Sequence, residues 1–411
     1  MTVGNVTADV ENTPWNSSYE FKAVPLLAIG FGVVSLDRFI INPLFPVMRQ
    51  ELGLTYGNLG LISAVLALTW GLASIVTGRL SDRIGRKHVL VPAAFMFSLL
   101  VAVTGLATGL VSLLLIRGVM GLAEGAYAPA SIVATVEASK PSRVGFNVGL
   151  QQMASPLVGL AIAPLLVVYL LKVLPSWHWV FTVAAVPGFL VAIAMIFVLR
   201  RDHPGPAAVA APTFDWSALK YRNVVFAILG MCCCLTVGIT LSAFMPNYLT
   251  DYLHLDTNAM AVVLTGQGFG SCIGMIAMPA VSDWFGRKAV ILPALVIGLA
   301  LLFVLQGAGA HPMLLFALLF GTTFVALGVM AITVGPLVSS SVPAAIATTA
   351  TGLVVGFGEI IGGALAPALA GAASDVVGIA VIIKICIGAV IVALLVYAFG
   401  IQEPKRIAPL A

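Results

Sequence analysis

Charged residues are scarce in this sequence. Of its 411 residues, 9% are Asp, Glu, Lys or Arg, whereas 60% are hydrophobic and the mean hydropathy is +1.10. Soluble globular domains carry about 25% charged residues, so this composition excludes a soluble protein. The net charge of +4 is small, and the basic residues lie mostly in turns between apolar segments. We therefore expect no nucleic-acid binding and assign these charges to membrane orientation.

Clusters that carry enzyme chemistry are also missing. The sequence contains no Walker motif, no glycine-rich nucleotide-binding turn after a strand, and no Ser/His/Asp or Cys/His cluster. We therefore expect neither an enzyme nor a protein with a metal ion or an organic cofactor. The five cysteines all lie in apolar segments, which indicates buried thiols rather than disulfides or metal ligands. They are Cys232, Cys233, Cys234, Cys272 and Cys386.

Apolar runs long enough to cross a membrane recur from Phe21 almost to the C-terminus. About 20 apolar residues span the hydrocarbon core as a helix, and these runs lack the period-2 alternation of membrane β-strands. The sequence therefore predicts an all-α membrane protein with twelve spans. Their predicted limits are residues 22–44, 57–77, 89–108, 112–134, 146–171, 179–199, 223–248, 259–281, 289–307, 312–336, 347–371 and 379–400.

Basic residues are concentrated in alternate turns, which determines the predicted orientation. The even-numbered turns and the C-terminal tail hold most of them, whereas the odd-numbered turns hold Arg49 and Lys172. Because basic turns stay in the cytoplasm, we expect a multi-pass protein of the inner (plasma) membrane with both termini cytoplasmic. The predicted units are a cytoplasmic tail (1–21), a six-helix bundle (22–199), a cytoplasmic linker (200–222), a second six-helix bundle (223–400) and a cytoplasmic tail (401–411).

A charged turn occurs twice, at an interval of half the chain. Residues 78–87 read GRLSDRIGRK and residues 282–288 read SDWFGRK, with the shared Asp, Gly, Arg and Lys positions 201 residues apart. Such a repeat indicates two copies of one membrane unit. The longer copy resembles the signature loop of the major facilitator superfamily, G-x-L-[SA]-D-R-x-G-R-[RK]. In that family the loop joins the second and third helices of each six-helix half.

This resemblance covers the whole chain and implies the major facilitator fold, with twelve transmembrane helices in two pseudo-symmetric six-helix bundles. In the superfamily, the loop charges latch the cytoplasmic side shut in the outward-open state. The matching residues are therefore expected to act in gating, a role that is compatible with simple topology-setting charge. The two aspartates are expected just ahead of the third and ninth helices, where a helix N-terminus favours a carboxylate. The candidate gating residues are Asp82, Arg83, Arg86, Asp283 and Arg287.

Five ionisable residues lie deep within predicted spans, where each costs roughly 2.5 to 3.5 kcal/mol, so they mark a pathway or a site. Two of them, Arg117 and Glu124, are seven residues apart and share a helix face. Asp37 can reach Arg117 if the first and fourth helices pack together. A buried carboxylate that loses its arginine partner takes up a proton, whereas a permanent salt bridge between helices is the alternative. The five residues are Asp37, Arg38, Arg117, Glu124 and Glu359.

Two of these stretches carry a narrower resemblance. Residues 36–38 read LDR and residues 117–124 read RGVMGLAE. They resemble the L-D-R and R-x-x-x-G-x-x-E motifs of the anion:cation symporter family, which includes bacterial sugar-acid and organic-acid transporters.

The narrower resemblance implies roles for the matching residues. Asp37 and Glu124 are expected to bind coupling protons, Arg38 to face an anionic substrate, and Arg117 to alternate between carboxylate partners. One glutamine of the pair on the fifth helix is expected to meet the substrate, and the tryptophan on the second helix either lines the cavity or packs in the core. The further substrate-binding candidates are Trp70, Tyr127, Gln151, Gln152, Tyr248 and Gln267.

Glu359 departs from the narrower pattern, because that family usually has asparagine in this region of the eleventh helix. A carboxylate there repels an anion unless it is protonated or paired. Three interpretations stay open: a third proton site, a device that selects particular substrate groups, or a substrate that is not a simple anion. We include Glu359 among the candidate proton-coupling residues.

The sequence predicts a secondary transporter, since no motif indicates the use of nucleotide energy. Our first hypothesis is proton-coupled uptake of a small organic acid anion by alternating access. The transporter is expected to be a monomer surrounded by membrane lipid, and the amphipathic lining of its second half favours a partly apolar acid. The alternative is a proton-driven antiporter that exports amphipathic compounds. A third possibility is a receptor or scaffold that keeps the fold without transport.

Overall fold

The computed structural model describes residues 16–200 and 216–403, apart from the side chains of residues 75, 76, 78, 79, 82, 83, 344, 345 and 348. Within these residues, twelve helices are long and apolar enough to cross a membrane, which confirms the all-α prediction. They are α1 (Ser17–Leu52), α2 (Tyr56–Ile84), α3 (Arg86–Thr104), α4 (Leu110–Ala138), α5 (Pro141–Val173), α6 (Trp177–Val198), α7 (Arg222–Tyr252), α8 (Thr257–Phe285), α9 (Arg287–Gly307), α10 (Pro312–Leu337), α11 (Ala344–Val377) and α12 (Val381–Gly400).

Local breaks interrupt several helices without ending them. α1 continues beyond its predicted limit to Leu52, with a break at Ile40. Pro43 lacks the amide hydrogen that would bond to the carbonyl of Phe39, and its ring crowds that carbonyl. The break therefore leaves the Phe39 carbonyl without its helical donor. α11 contains a π-helical segment, Glu359–Leu365, of the kind that often marks functional positions.

Glycines set a close helix crossing in each half of the chain. In the first half, a Cβ atom on Gly125 of α4 would lie 2.2 Å from the Trp70 carbonyl oxygen of α2. In the second half, a Cβ atom on Gly274 of α8 would lie 2.2 Å from the Phe324 carbonyl oxygen of α10. Small residues let helices approach closely where lipid supplies no hydrophobic driving force. Both crossings join the second and fourth helices of a half, which fits two bundles of the same construction.

The turns lie at two ends of the molecule. We call the end with the two signature loops, between α2 and α3 and between α8 and α9, the loop end. The far end holds the turns that follow the odd-numbered helices α1, α3, α5, α7, α9 and α11.

Polar contacts join the two halves at the far end. Arg49 of α1 forms an ion pair with Asp251 of α7, with 2.9 Å between Nη1 and Oδ2, and the Tyr56 hydroxyl donates to the same carboxylate. The Asp375 carboxylate of α11 accepts hydrogen bonds from the backbone N–H groups of Tyr56 and Gly57, both at 2.9 Å. These N–H groups lie in the first turn of α2 and have no partner within the helix. The carboxylate accepts hydrogen bonds from them and interacts favourably with the helix dipole.

The far end is therefore closed in this structure. Between described residues, the hydrogen bonds that join the halves lie at the far end or midway along the helices. The loop-end bonds between described residues instead connect helices of the same half, as between α3 and α4.

We predict that Gly125→Ala destabilises the protein. The added methyl group meets backbone atoms of Trp70, which cannot move without shifting α2, so the expected loss of unfolding free energy is on the order of 1–3 kcal/mol. Gly118→Ala on the same helix is the control, because its Cβ would only touch Val65 at 3.4 Å. Thermal unfolding of the detergent-solubilised protein measures both. Equal melting temperatures for the two variants would refute this crossing as a packing constraint.

We expect Asp251→Asn to open the far end, because it removes the charge that holds Arg49 and weakens the acceptor of the Tyr56 hydroxyl. Spin labels at Val111 and Met313, exposed residues at the far ends of α4 and α10, report the separation of the halves by double electron–electron resonance. The variant should show a longer-distance component that the wild type lacks.

Glu51→Gln is the matched control for this experiment. Glu51 also lies at the far end, but its partners Trp177 and His178 belong to its own half. An unchanged distance distribution in the Asp251→Asn variant would show that the ion pair does not hold the far end closed.

Candidate functional site

Three helices bring together five ionisable residues in the middle of the molecule. α1 supplies Asp37 and Arg38 next to its break, α4 supplies Arg117 and Glu124, and α11 supplies Glu359 at the start of its π-helical segment. Asp37, Arg117 and Glu124 are at most 1% exposed. The structure thus assembles the five predicted charges from both halves of the chain. Because a buried site solvates charge poorly, these groups must compensate one another.

Arg38 forms an ion pair that crosses between the halves. Its Nη2 donates to Oε2 of Glu359 at 3.1 Å, so the pair connects α1 to α11. The guanidinium also lies over the rings of Phe39 and Trp70, 5.6 and 5.7 Å from their centroids. Aromatic faces attract a cation and orient the guanidinium without neutralising it. The two paired side chains are 15% and 10% exposed, so a ligand can reach them.

Arg117 binds the backbone of α1 rather than a carboxylate. Its Nη1 donates to the carbonyl oxygens of Asp37 at 3.2 Å and Arg38 at 3.1 Å. The predicted ion pair with the Asp37 carboxylate is therefore not formed in this structure, although α1 and α4 do pack together. The guanidinium instead reaches two carbonyl oxygens of α1 just before the break at Ile40.

The Asp37 and Glu124 carboxylates are buried without a hydrogen-bond donor. Neither oxygen of either group has a partner among the described residues, and the same holds for Nε and Nη2 of Arg117. The three groups still interact electrostatically, and Arg38 also acts on Glu124. Burial without donors penalises an ionised carboxylate. Both side chains therefore have surroundings suited to binding a proton.

A small cavity lies beside the two arginines. Arg38 and Arg117 supply its charge, Asn42 and Ser63 supply neutral polar groups, and its other walls are apolar. The cavity is therefore complementary to a small anion with a partly apolar body. Its apolar lining residues come from α1, α2 and α7 and are Phe39, Ile41, Ile62, Leu66, Ile239 and Ala243.

One predicted glutamine lies at the interface between the halves. Gln267 lines a second space between α1, α5, α7 and α8, and its Nε2 donates to the Ser242 hydroxyl at 2.6 Å. Gln151 is fully buried and donates to the Ser131 hydroxyl of α4 at 3.0 Å. Gln152 is partly exposed, and its buried amide oxygen has no partner among the described residues. Neither Gln151 nor Gln152 lines this space or the cavity beside the arginines.

Tyr127 and Tyr248 lie apart from the charged cluster. The Tyr127 hydroxyl lies against Gly30 of α1, and its ring packs edge-on against Phe97. Tyr248 stacks on Tyr252 where α7 approaches the far end. Both predicted tyrosines are at most 1% exposed, and neither lines the cavity beside the arginines.

The predicted gating residues lie at the loop end, away from the cluster. The side chains of Asp82 and Arg83 are outside the described residues. Arg86 forms an ion pair with Glu137 of α4 at 3.1 Å, which connects the start of α3 to the end of α4 within one half.

In the second loop, Asp283 lies in the last turn of α8 and pairs with Arg287. The carboxylate at the N-terminus of α9 belongs to Glu403, which accepts from the backbone N–H groups of Arg287 at 2.7 Å and Lys288 at 2.8 Å. The capping role expected from the loop aspartate is thus taken by the C-terminal segment.

Two polar lining residues were missed by the sequence analysis. Asn42 follows Arg38 by four residues, a spacing that could have indicated a shared face. Ser63 gave no such signal. Within the described residues, no three His, Cys, Asp or Glu side chains are grouped as metal ligands.

Comparisons with known proteins agree with this architecture. The family model described as Major Facilitator Superfamily matches residues 27–367 and 240–411. The D-galactonate transporter of Escherichia coli O6:H1 is 25% identical over 427 residues, which covers 94% of this chain and 96% of that protein. The hexuronate transporter of Bacillus subtilis is 25% identical over 269 residues, which covers 62% of this chain and 63% of that protein.

A solved structure has the same fold. It is a bacterial homologue of the human lysosomal transporter Spinster in an inward-facing and unoccupied conformation, with a TM-score of 0.75 at 16% identity over 93% of this chain and 96% of that one. The membrane helices, the repeated loop and these matches indicate a multi-pass membrane transporter rather than an enzyme. The chain belongs to the major facilitator superfamily.

Proposed function

We propose that the protein is a secondary active transporter that takes up a small organic acid anion together with protons. The observation that carries this proposal is the arrangement in the middle of the molecule. Two arginines border a cavity, and beside them two carboxylates, Asp37 and Glu124, are fully buried without hydrogen-bond donors. Guanidinium groups bind an anion, and carboxylates in such surroundings bind protons.

The shape and chemistry of the cavity support a compact acid. Arg38 and Arg117 lie on one side, and the apolar residues of α2 and α7 form most of the remaining wall. A carboxylate can pair with a guanidinium while an apolar body fills the space beside it. The similarity to D-galactonate and hexuronate transporters also supports an organic acid as the substrate.

Charge balance supplies the reason for coupling. The three carboxylates and two arginines of the cluster carry a formal charge of −1, since two positive and three negative groups are present. One bound proton neutralises the empty site. A monoanionic substrate makes the formal charge −2, so a neutral loaded site holds two protons, one of which is taken up with the anion. An occluded state that buries uncompensated charge is costly, so anion and protons move together. In this proposal Asp37, Glu124 and Glu359 are the proton-binding residues.

Transport then follows by alternating access, with the six-helix units 22–199 and 223–400 rocking around the central site. The positive-inside rule assigns the loop end and both termini to the cytoplasm and the protein to the inner (plasma) membrane. Under this orientation, the closed far end faces outward. The loop-end charges, including Arg86 and Arg287, would hold the loop end closed in the state in which the far end is open. A monomer surrounded by lipid contains a complete site.

A second candidate function is proton-driven export of amphipathic compounds on the same fold. The apolar cavity walls and the neutralisation of Arg38 by Glu359 favour it. The buried arginines favour the first candidate, and the direction of transport distinguishes the two.

We predict that uptake of an acid into proteoliposomes requires an inward proton gradient and Glu124. The panel contains radiolabelled D-galactonate, D-glucuronate, sulfoacetate and benzoate. Glu124→Gln is isosteric but cannot release or bind a proton, so gradient-driven accumulation should fall by about tenfold or more. Glu51→Gln makes the same chemical change outside the cluster and should retain accumulation.

Gradient-dependent uptake of one acid that is lost with Glu124→Gln would support the symport proposal. If no acid accumulates and the protein instead expels lipophilic cations on acidification of the outside, the symport proposal is wrong and the exporter is favoured.

A further inference from the structure

The ion pair between Arg38 and Glu359 places a carboxylate where a substrate carboxylate would bind. Arg38 borders the central cavity, and one of its N–H groups is already bound to Oε2 of Glu359 at 3.1 Å. The two residues come from different halves and are partly exposed. In the absence of substrate, the Glu359 carboxylate is therefore bound to the arginine that is expected to bind the substrate anion.

Among the described residues, Arg38 is the cation that pairs with Glu359. Glu359 begins the π-helical segment Glu359–Leu365, which packs against α2 and α7. On α2, the uncharged Ala67 lies close to Gly363 of this segment. On α7, the Cys232 thiol donates to the carbonyl of Phe357. The ion pair with Arg38 is therefore the charge compensation that the described residues supply to Glu359.

The remaining charged groups of the cluster cannot replace Arg38 as the partner of Glu359. Arg117 is bound to the backbone carbonyls at the break of α1, and Asp37 and Glu124 are themselves anionic or protonated. A Glu359 carboxylate released from Arg38 would be left in a mostly buried position without compensation. Such a group is stabilised when it takes up a proton.

We propose that Glu359 competes with the substrate for Arg38. When the substrate binds, the Glu359 carboxylate leaves the arginine and takes up a proton. This inference rests on the proposed function, because it requires an anionic substrate. The step is balanced in charge: the Arg38–Glu359 ion pair, one acid anion and one proton give an Arg38–anion pair and a neutral Glu359 carboxylic acid. No covalent bond changes other than that to the proton.

This exchange explains how a carboxylate can lie in an anion site. It makes anion binding conditional on a proton, because an anion that arrives without one would leave two carboxylates for a single guanidinium. It also restricts the substrate to acids whose anionic group can pair with a guanidinium at least as well as a glutamate side chain does. A planar monocarboxylate satisfies this condition.

The test is equilibrium dialysis of radiolabelled D-galactonate and benzoate, a hydroxylated and an apolar monocarboxylate, against purified protein. Wild type and Glu359→Gln are compared at about pH 8 and about pH 6. The higher proton concentration at pH 6 favours the protonated form of a carboxyl group. Glutamine keeps the shape of the side chain but cannot compete as an anion. At the higher pH, the variant should bind whichever acid the wild type binds at least about tenfold more tightly.

The difference in affinity between wild type and Glu359→Gln should narrow at the lower pH, because a proton that neutralises Glu359 has the same effect as the substitution. Wild-type affinity should rise relative to that of the variant by up to about tenfold for each pH unit. Glu51→Gln is the matched control, since it makes the same chemical change at a carboxylate whose partners, Trp177 and His178, belong to its own half. It should not reproduce the pH-dependent gain in affinity.

The outcomes separate the two proposals. Equal or weaker binding by Glu359→Gln at the higher pH, or the same gain with Glu51→Gln, would overturn the competition and leave the anion site standing. If none of the three folded proteins, checked by their melting temperatures, binds either acid, the anion site itself is refuted and the competition with it.

Discussion

The ion pair between Arg38 and Glu359 is the interaction on which the central site depends. It is formed by one side chain from each half of the chain, so it can persist only while the two halves meet at this depth. Its partners are partly exposed, whereas Asp37, Arg117 and Glu124 are fully buried nearby. The cluster therefore combines one partly exposed ion pair with three fully buried groups, of which Arg117 also lines the cavity. Any substrate anion must be accommodated by changing the protonation or pairing of these residues.

The surrounding fold explains how such a cluster is built. Arg117 donates to two backbone carbonyls of α1 just before the break at Ile40 and remains beside the carboxylates. The glycine crossing of α2 and α4, at Gly125, brings the Trp70 segment against the helix that carries Glu124. The far-end contacts then hold the second half close enough for α11 to complete the site. Backbone irregularity and small residues thus concentrate at the positions where charge is buried.

Much of this could be predicted from the sequence, and the limits have physical reasons. Length and hydropathy predict the twelve spans, and the cost of burying charge identifies the five central residues. Pairing could not be predicted, because it depends on which helices meet. Arg117 donates to backbone carbonyls of α1 rather than to a carboxylate, and Glu359 finds Arg38 only across the interface between the halves. The far-end acceptor Asp375 likewise has no sequence signal, since its partners are backbone N–H groups of α2.

In the proposed mechanism, anion binding and protonation at this site are one linked event. This linkage can be measured by following the pH of a weakly buffered solution of detergent-solubilised wild-type protein, with a pH indicator, as a transported acid is added in its fully ionised form. About one proton should be taken up for each anion bound, so the medium should become more alkaline in proportion to occupancy. Saturable anion binding without any proton uptake would show that the two events are not linked.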